Sequence, residues 1–136
     1  MNGPTVFLDT GIFIAARSTR DRHHEQARTL FGGPRPRWVT SVLVCAEGYT
    51  WFLHKHGEEA ARRFRLLLDN LDGLTMLDTD PELRSETWRM LDRLRGARVT
   101  YVDASSLVLM ARHGIRTVWA TDHHLGLTGA QILPRS

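Results

Sequence analysis

"TVFLDTGIFIAA", residues Thr5–Ala16, sets one acid between two apolar runs, with Val6, Phe7 and Leu8 before it and Ile12, Phe13 and Ile14 after it. An aspartate taken from water without a partner costs free energy. Asp9 is therefore either a turn residue between two core elements or a carboxylate held in place for chemistry. The run before it reads as a short buried strand ended by the "DTG" turn signal, and a helical turn or two follows through Ala16. A buried strand, a tight turn and a helix in twelve residues is the opening of an α/β unit.

The same alternation continues along the chain. Asp21 offers an N-cap for a helix to Phe31, with Ala27, Leu30 and Phe31 on one stripe. "GGPRPR", Gly32 to Arg37, is a loop. Trp38 and Val39 start a second strand, and Thr40 or Ser41 can cap a helix to His56, which Gly57 stops. Residues 58–70 form an amphipathic helix, and Leu74–Leu77 a third strand. "TDPE", Thr79 to Glu82, carries a capping-box pattern with proline near the first helical position, and that helix runs to Arg95. Asp103 can cap an almost wholly apolar helix over residues 104–113. "RTVWAT", Arg116 to Thr121, gives a fourth strand, and "QILP" a fifth. Short strands alternating with helices predict a mainly parallel sheet of four or five strands, flanked by helices on both faces. With no repeat, linker or low-complexity segment, the expectation is one α/β domain over 1–136.

Bulk properties narrow the function class. A chain of 136 residues, 42% hydrophobic and 24% charged, has the composition of a globular domain. No stretch approaches the roughly 20 apolar residues of a membrane-spanning helix. "MNGPTVFLD" lacks the basic and apolar regions of a secretory signal. Cys45 is the single cysteine and has no internal disulfide partner, so a cytoplasmic protein with no membrane partner is expected. The net charge is +3 and 17 of the 18 basic residues are arginine, Lys55 being the exception. Planar guanidinium groups suit phosphate contacts.

In an open α/β sheet, ligands sit beyond the carboxyl ends of the strands. Four acids fall at that edge: Asp9 after the first strand, Asp122 after the fourth, Asp103 at the start of the apolar helix, and Glu47 in the first two turns of the helix that begins near Ser41. Each has a structural alternative, a cap for Asp103, a turn for Asp122 and a solvent-facing helix position for Glu47. Together they make a carboxylate cluster, in which like charges raise one another's pKa unless a cation is present. All-oxygen ligands suit Mg²⁺ or Mn²⁺. One ion would polarise a phosphoryl oxygen and activate water, and two would clamp the attacking and leaving oxygens. The chemistry implied is metal-dependent phosphodiester hydrolysis.

At this point the chain resembles the PIN-domain ribonucleases, most closely the VapC-type toxins of toxin–antitoxin pairs, over nearly its whole length. "VFLDTGIFIAA" resembles the segment of the family's first acid (Asp9), "VTSVLVCAEGYTWF" the second (Glu47), "YVDASSLVLMARHGI" the third (Asp103) and "TVWATDHHLGLTGAQILP" the last (Asp122). The resemblance implies a single PIN-like domain with these four acids as catalytic residues and metal ligands. It implies an endoribonuclease using one or two Mg²⁺ or Mn²⁺ ions and acting on tRNA or rRNA, dimeric and silenced by a cognate antitoxin. Two positions depart from the family. Ala120 stands where a threonine or serine is common, with Thr121 expected on the other face of the strand, and His124 stands where many members carry a further acid.

Thr10, Ser41 and Thr121 are supporting hydroxyl candidates. Arg17, Arg20 and Arg22, on the loop bordering the proposed mouth, are candidates for steering RNA phosphate, and His124 could touch RNA. The adjacent histidine pairs fit no zinc motif. A phosphorylated-aspartate reading lacks its companions, since Gly11 stands two positions after Asp9 and no acid precedes it. The alternative kept open is a catalytically impaired PIN-like module that binds RNA or protein, which Ala120 and His124 favour.

Overall fold

The computed structural model describes residues 3–135, so the ends of the expected 1–136 domain (Met1, Asn2 and Ser136) lie outside the described residues. The elements are β1 (Thr5–Leu8), α1 (Thr10–Arg17), α2 (His24–Gly32), β2 (Arg37–Ser41), α3 (Val42–His56), α4 (Glu58–Asn70), β3 (Thr75–Leu77), α5 (Pro81–Arg93), α6 (Tyr101–Arg112), β4 (Thr117–Trp119), a 3₁₀ turn (His123–Gly126) and β5 (Gln131–Leu133). All five strands pair in parallel in the order β3-β2-β1-β4-β5. Right-handed crossovers therefore put α1–α4 over one face and α5–α6 over the other. The order reverses between β1 and β4, where Leu8 is in register with Trp119. A crevice opens at such a switch point, outside the strand carboxyl ends.

The core explains why the short strands read as continuous apolar runs. Phe7 and Leu8 of β1 are fully buried, as are Val118, Ile12 and Phe13. Above them Phe31 meets the Trp119 ring edge-on at 5.2 Å, and Phe64 meets Phe13 at 5.5 Å, arrangements that favour aromatic quadrupoles. Gly48 lets α4 come close to α3, because a Cβ there would lie 2.6 Å from the Phe64 ring. Of the four tryptophans, Trp38 and Trp119 are core, while Trp88 is exposed and packs on Tyr101.

Three caps differ from expectation, each for a local reason. α2 begins at His24, and Asp21 instead accepts the His23 N–H, closing a turn before the helix. In α5 the cap is Asp80 rather than Thr79, because Pro81 takes the first helical position and Asp80 accepts the Leu83 N–H. α6 starts one turn earlier than expected: Thr100 caps it by accepting from Asp103 N–H. Asp103 thus lies inside the first turn, and its carboxylate is freed from the capping role.

Candidate functional site

β1 delivers Asp9 to the crevice. Its N–H donates to Trp119 O at 3.0 Å, continuing the β1–β4 pairing one residue past the strand. Asp9 occupies the N-cap position of α1, yet its side chain makes no capping bond. The residue is only 4% exposed and its Oδ1 is buried without a hydrogen-bond partner. A buried polar atom left unpaired costs roughly 1–3 kcal/mol, so this carboxylate is not explained by stability. Asp103 is 5% exposed, Glu47 half-buried, and the Asp122 side chain 40% exposed.

The four acids share one electrostatic field. Burial is the main cause that pushes Asp9 up to about 7, and the charge of Asp103 comes next; Glu47 and Asp122 add to it, while the Thr10 N–H opposes it. Asp103 is also raised, by burial first and then by Asp122, with Thr100 and His124 acting the other way. Desolvation and like charge both disfavour the ionised form. A divalent cation offsets both, and the unpartnered Asp9 oxygen is a suitable ligand atom for it.

Neighbouring hydroxyls hold the cluster's framework. Thr10 Oγ1 donates to Glu47 Oε1, linking the first turn of α1 to α3. Ser41 is fully buried and accepts the Val44 N–H, so its hydroxyl caps the helix that carries Glu47. Thr40, the other cap candidate, does not cap α3 but donates to Leu8 O at 2.7 Å and ties β2 to the residue before Asp9.

Thr121 departs from the expected alternation because β4 ends at Trp119. Its Oγ1 lies over Gly11, where an added Cβ would stand 2.2 Å from it. Only glycine admits that approach beside Asp9. Gly11→Ala should therefore destabilise the protein by about 1–3 kcal/mol through overpacking, and Thr121→Ala in the same chain should restore most of the loss. Equal melting temperatures for Gly11→Ala and the parent protein would contradict this packing.

His124 fills the position between the last two acids. Its Nδ1 is 3.1 Å from Asp122 Oδ1 and 3.6 Å from Asp103 Oδ2, and its backbone N–H donates to the same Asp122 oxygen. Among the described residues, Asp122, His123 and His124 are the group whose potential ligand atoms lie within 4.8 Å of one another. The arginine trio divides. Arg17 and Arg20 line one cleft of about 640 Å³, whereas Arg22 lines another of about 430 Å³ that reaches Asp122. Nothing in the spacing of these residues signalled that division, nor that Arg135 joins the second cleft.

Comparison with known proteins gives a consistent result. A PIN domain family profile matches residues 6–129. The chain is 26% identical over 125 residues to the 23S rRNA-specific endonuclease VapC20 of Mycobacterium tuberculosis, covering 91% of this chain and 94% of that protein. The crystal structure of that VapC20, described as a sarcin-ricin loop cleaving toxin, superposes with a TM-score of 0.84 at 25% identity, over 92% of this chain and 95% of the other. VapBC-1 from nontypeable Haemophilus influenzae shares the fold, with a TM-score of 0.65 at 16% identity over 94% and 96% of the two chains.

Proposed function

The chain belongs to the PIN-domain family, and from that premise we propose that it is a Mg²⁺- or Mn²⁺-dependent endoribonuclease, the toxin of a toxin–antitoxin pair. The observation that carries the proposal is Asp9: a strand-end carboxylate, buried, electrostatically joined to three other acids, and with an oxygen that no protein group satisfies. Asp9, Glu47, Asp103 and Asp122 would hold the metal. When bound, one or two such ions supply positive charge beside a phosphate and lower the pKa of a coordinated water.

The chain's own residues do the rest. β1 and its pairing to β4 fix Asp9, the Thr10 hydroxyl holds Glu47 in one orientation, and the Thr100 cap sets the first turn of α6 around Asp103. Such supporting bonds typically matter 10–100-fold for affinity or activity. Arginines on the rim bind phosphate oxygens through paired N–H donors.

An RNA of the translation machinery, tRNA or rRNA, is the proposed substrate, supported by the 23S rRNA specificity in the name of the mycobacterial relative. A cognate antitoxin, a homodimer and a cytoplasmic location are proposed from the resemblance to VapC-type toxins; among the described residues no helix is long and apolar enough to cross a membrane. The second reading, a PIN-like module that binds RNA or protein without cutting, is favoured by His124 against Asp103 and Asp122. Incubating the purified protein with ribosomal and transfer RNA tests the proposal: cleavage is expected with Mn²⁺ or Mg²⁺ and none with EDTA. Cleavage of equal magnitude in EDTA would sink it.

A further inference from the structure

The loop between α1 and α2 separates two arginine-lined clefts. On one side Arg17 and Arg20 share a cleft with His56 and Arg63, whose one acid, Glu59, stands 3.6 Å from Arg63. On the other, Arg22 and His23 share a cleft with Asp122, His123 and Arg135. Four consecutive residues, Arg17–Arg20, face the first cleft, and the next pair but one, Arg22 and His23, face the second. The loop is therefore a ridge with guanidinium groups on both flanks.

The ridge is held rigidly. Ser18 N–H donates to Ile14 O at 2.9 Å, Asp21 N–H to Ser18 O at 3.1 Å and His24 N–H to Asp21 O at 3.0 Å. The Asp21 carboxylate accepts the His23 N–H at 2.8 Å, and the His24 ring bonds Ala15 O at 2.8 Å. Among the described residues Arg17, Arg20, Arg22 and Arg135 form no ion pair, so their donors remain available to a ligand. The clefts enclose about 640 and 430 Å³, and only the second reaches the candidate site, at Asp122.

From this we infer that residues 18–23 dock between two backbone segments of a folded RNA. One segment runs past Asp122 between Arg22 and Arg135, and the other lies in the cleft of Arg17, Arg20 and Arg63. A single strand crossing the candidate site needs only the second cleft. Two phosphate-binding clefts on opposite flanks of a rigid turn fit an RNA whose chain folds back, such as a stem-loop. The inference rests on the RNA-directed reading above, but it concerns binding and not the cutting step.

The test measures binding in EDTA, so that cleavage plays no part. Two fluorescent RNAs of the same length are used, a stem-loop and an unstructured strand, with wild-type protein, Arg20→Ala/Arg63→Ala and Arg22→Ala/Arg135→Ala. The Arg20/Arg63 variant should lose about tenfold or more in stem-loop affinity, and its salt-dependence slope should fall by about 1.8, as for two lost phosphate contacts. Its affinity for the unstructured strand should change less than about threefold. The Arg22/Arg135 variant should weaken both RNAs. Melting curves matching the wild type exclude misfolding, and Arg20→Lys/Arg63→Lys, which keeps the charge, should recover much of the slope. Equal losses on both RNAs for the Arg20/Arg63 variant, or none on either, would overturn the inference. So would unchanged RNA binding with lost affinity for an acidic probe such as oligoglutamate, which would assign the clefts to a protein ligand. Failure of the nuclease reading shows differently, as absent metal-dependent cleavage with the binding contrast intact.

Discussion

Asp9→Asn should lower metal-dependent RNA cleavage by at least about 10³-fold, equivalent to about 4 kcal/mol of barrier. Asparagine keeps the shape of the side chain and its place at the end of β1, so the sheet pairing and the turn into α1 survive. What it loses is the negative charge and the second oxygen of the carboxylate. Of the four acids, Asp9 has the least access to water, and a water molecule cannot easily take the place of its lost oxygen. Asp122, whose side chain is 40% exposed, should be more forgiving: Asp122→Asn is expected to fall between Asp9→Asn and wild type in the same assay. Wild-type rates from Asp9→Asn would remove the carboxylate from the chemistry.

The same substitution should make the protein more stable in the absence of divalent cations. Asp9 titrates near 7 in the folded chain, against 3.8 as its ordinary value, mainly because it is buried and then because Asp103 is beside it. Below about pH 4 the group is protonated in both the folded and unfolded chains and imposes no difference. Between about 4 and 7 the unfolded chain releases this proton while the folded chain keeps it. Stability therefore falls as pH rises through that window, by up to about 1.4 kcal/mol per pH unit for this one group, and levels off above it. The full effect is on the order of 4 kcal/mol. Asp103, raised in the same sense, adds to the slope and persists in the variant. Thermal unfolding in EDTA at pH 5 and pH 8 should show Asp9→Asn gaining on the wild type as pH increases. Parallel pH profiles for the two proteins would contradict the buried, unpaired carboxylate. A variant that is inactive and more stable is the signature of a residue kept for function at a cost in stability.

Much of this site could be read from the sequence because β1 is so short and apolar. With Val6–Leu8 buried and α1 starting directly at Thr10, in place of the turn expected from "DTG", Asp9 had to emerge at the carboxyl edge of the sheet, and parallel β4 placed Asp122 beside it. The helix-borne acids were harder, since an aspartate at the start of a helix is chemically equal to a cap. Thr100 and Asp103 are three residues apart, and which of the two accepts the first free N–H is decided by where Tyr101 enters the helix, a matter of packing. Strand alternation does not extend to Thr121, because β4 ends two residues before it. His124 and the two arginine-lined clefts depend on the 3₁₀ turn and on how the α1–α2 loop packs, both products of tertiary contacts that leave no periodic trace in the chain.

Four acids on one sheet edge are proposed to form a divalent-cation site completed by Asp9, and calorimetric titration with Mn²⁺ tests that site most directly. At pH 8 the wild type should bind Mn²⁺, and the affinity should weaken as pH drops below about 7, because the metal must displace the Asp9 proton. Proton release should appear as a heat that changes with the ionisation enthalpy of the buffer. Asp9→Asn should give no comparable binding. Absence of binding by the wild type at millimolar Mn²⁺, or equal binding by Asp9→Asn, would contradict the claim and favour the non-cleaving module.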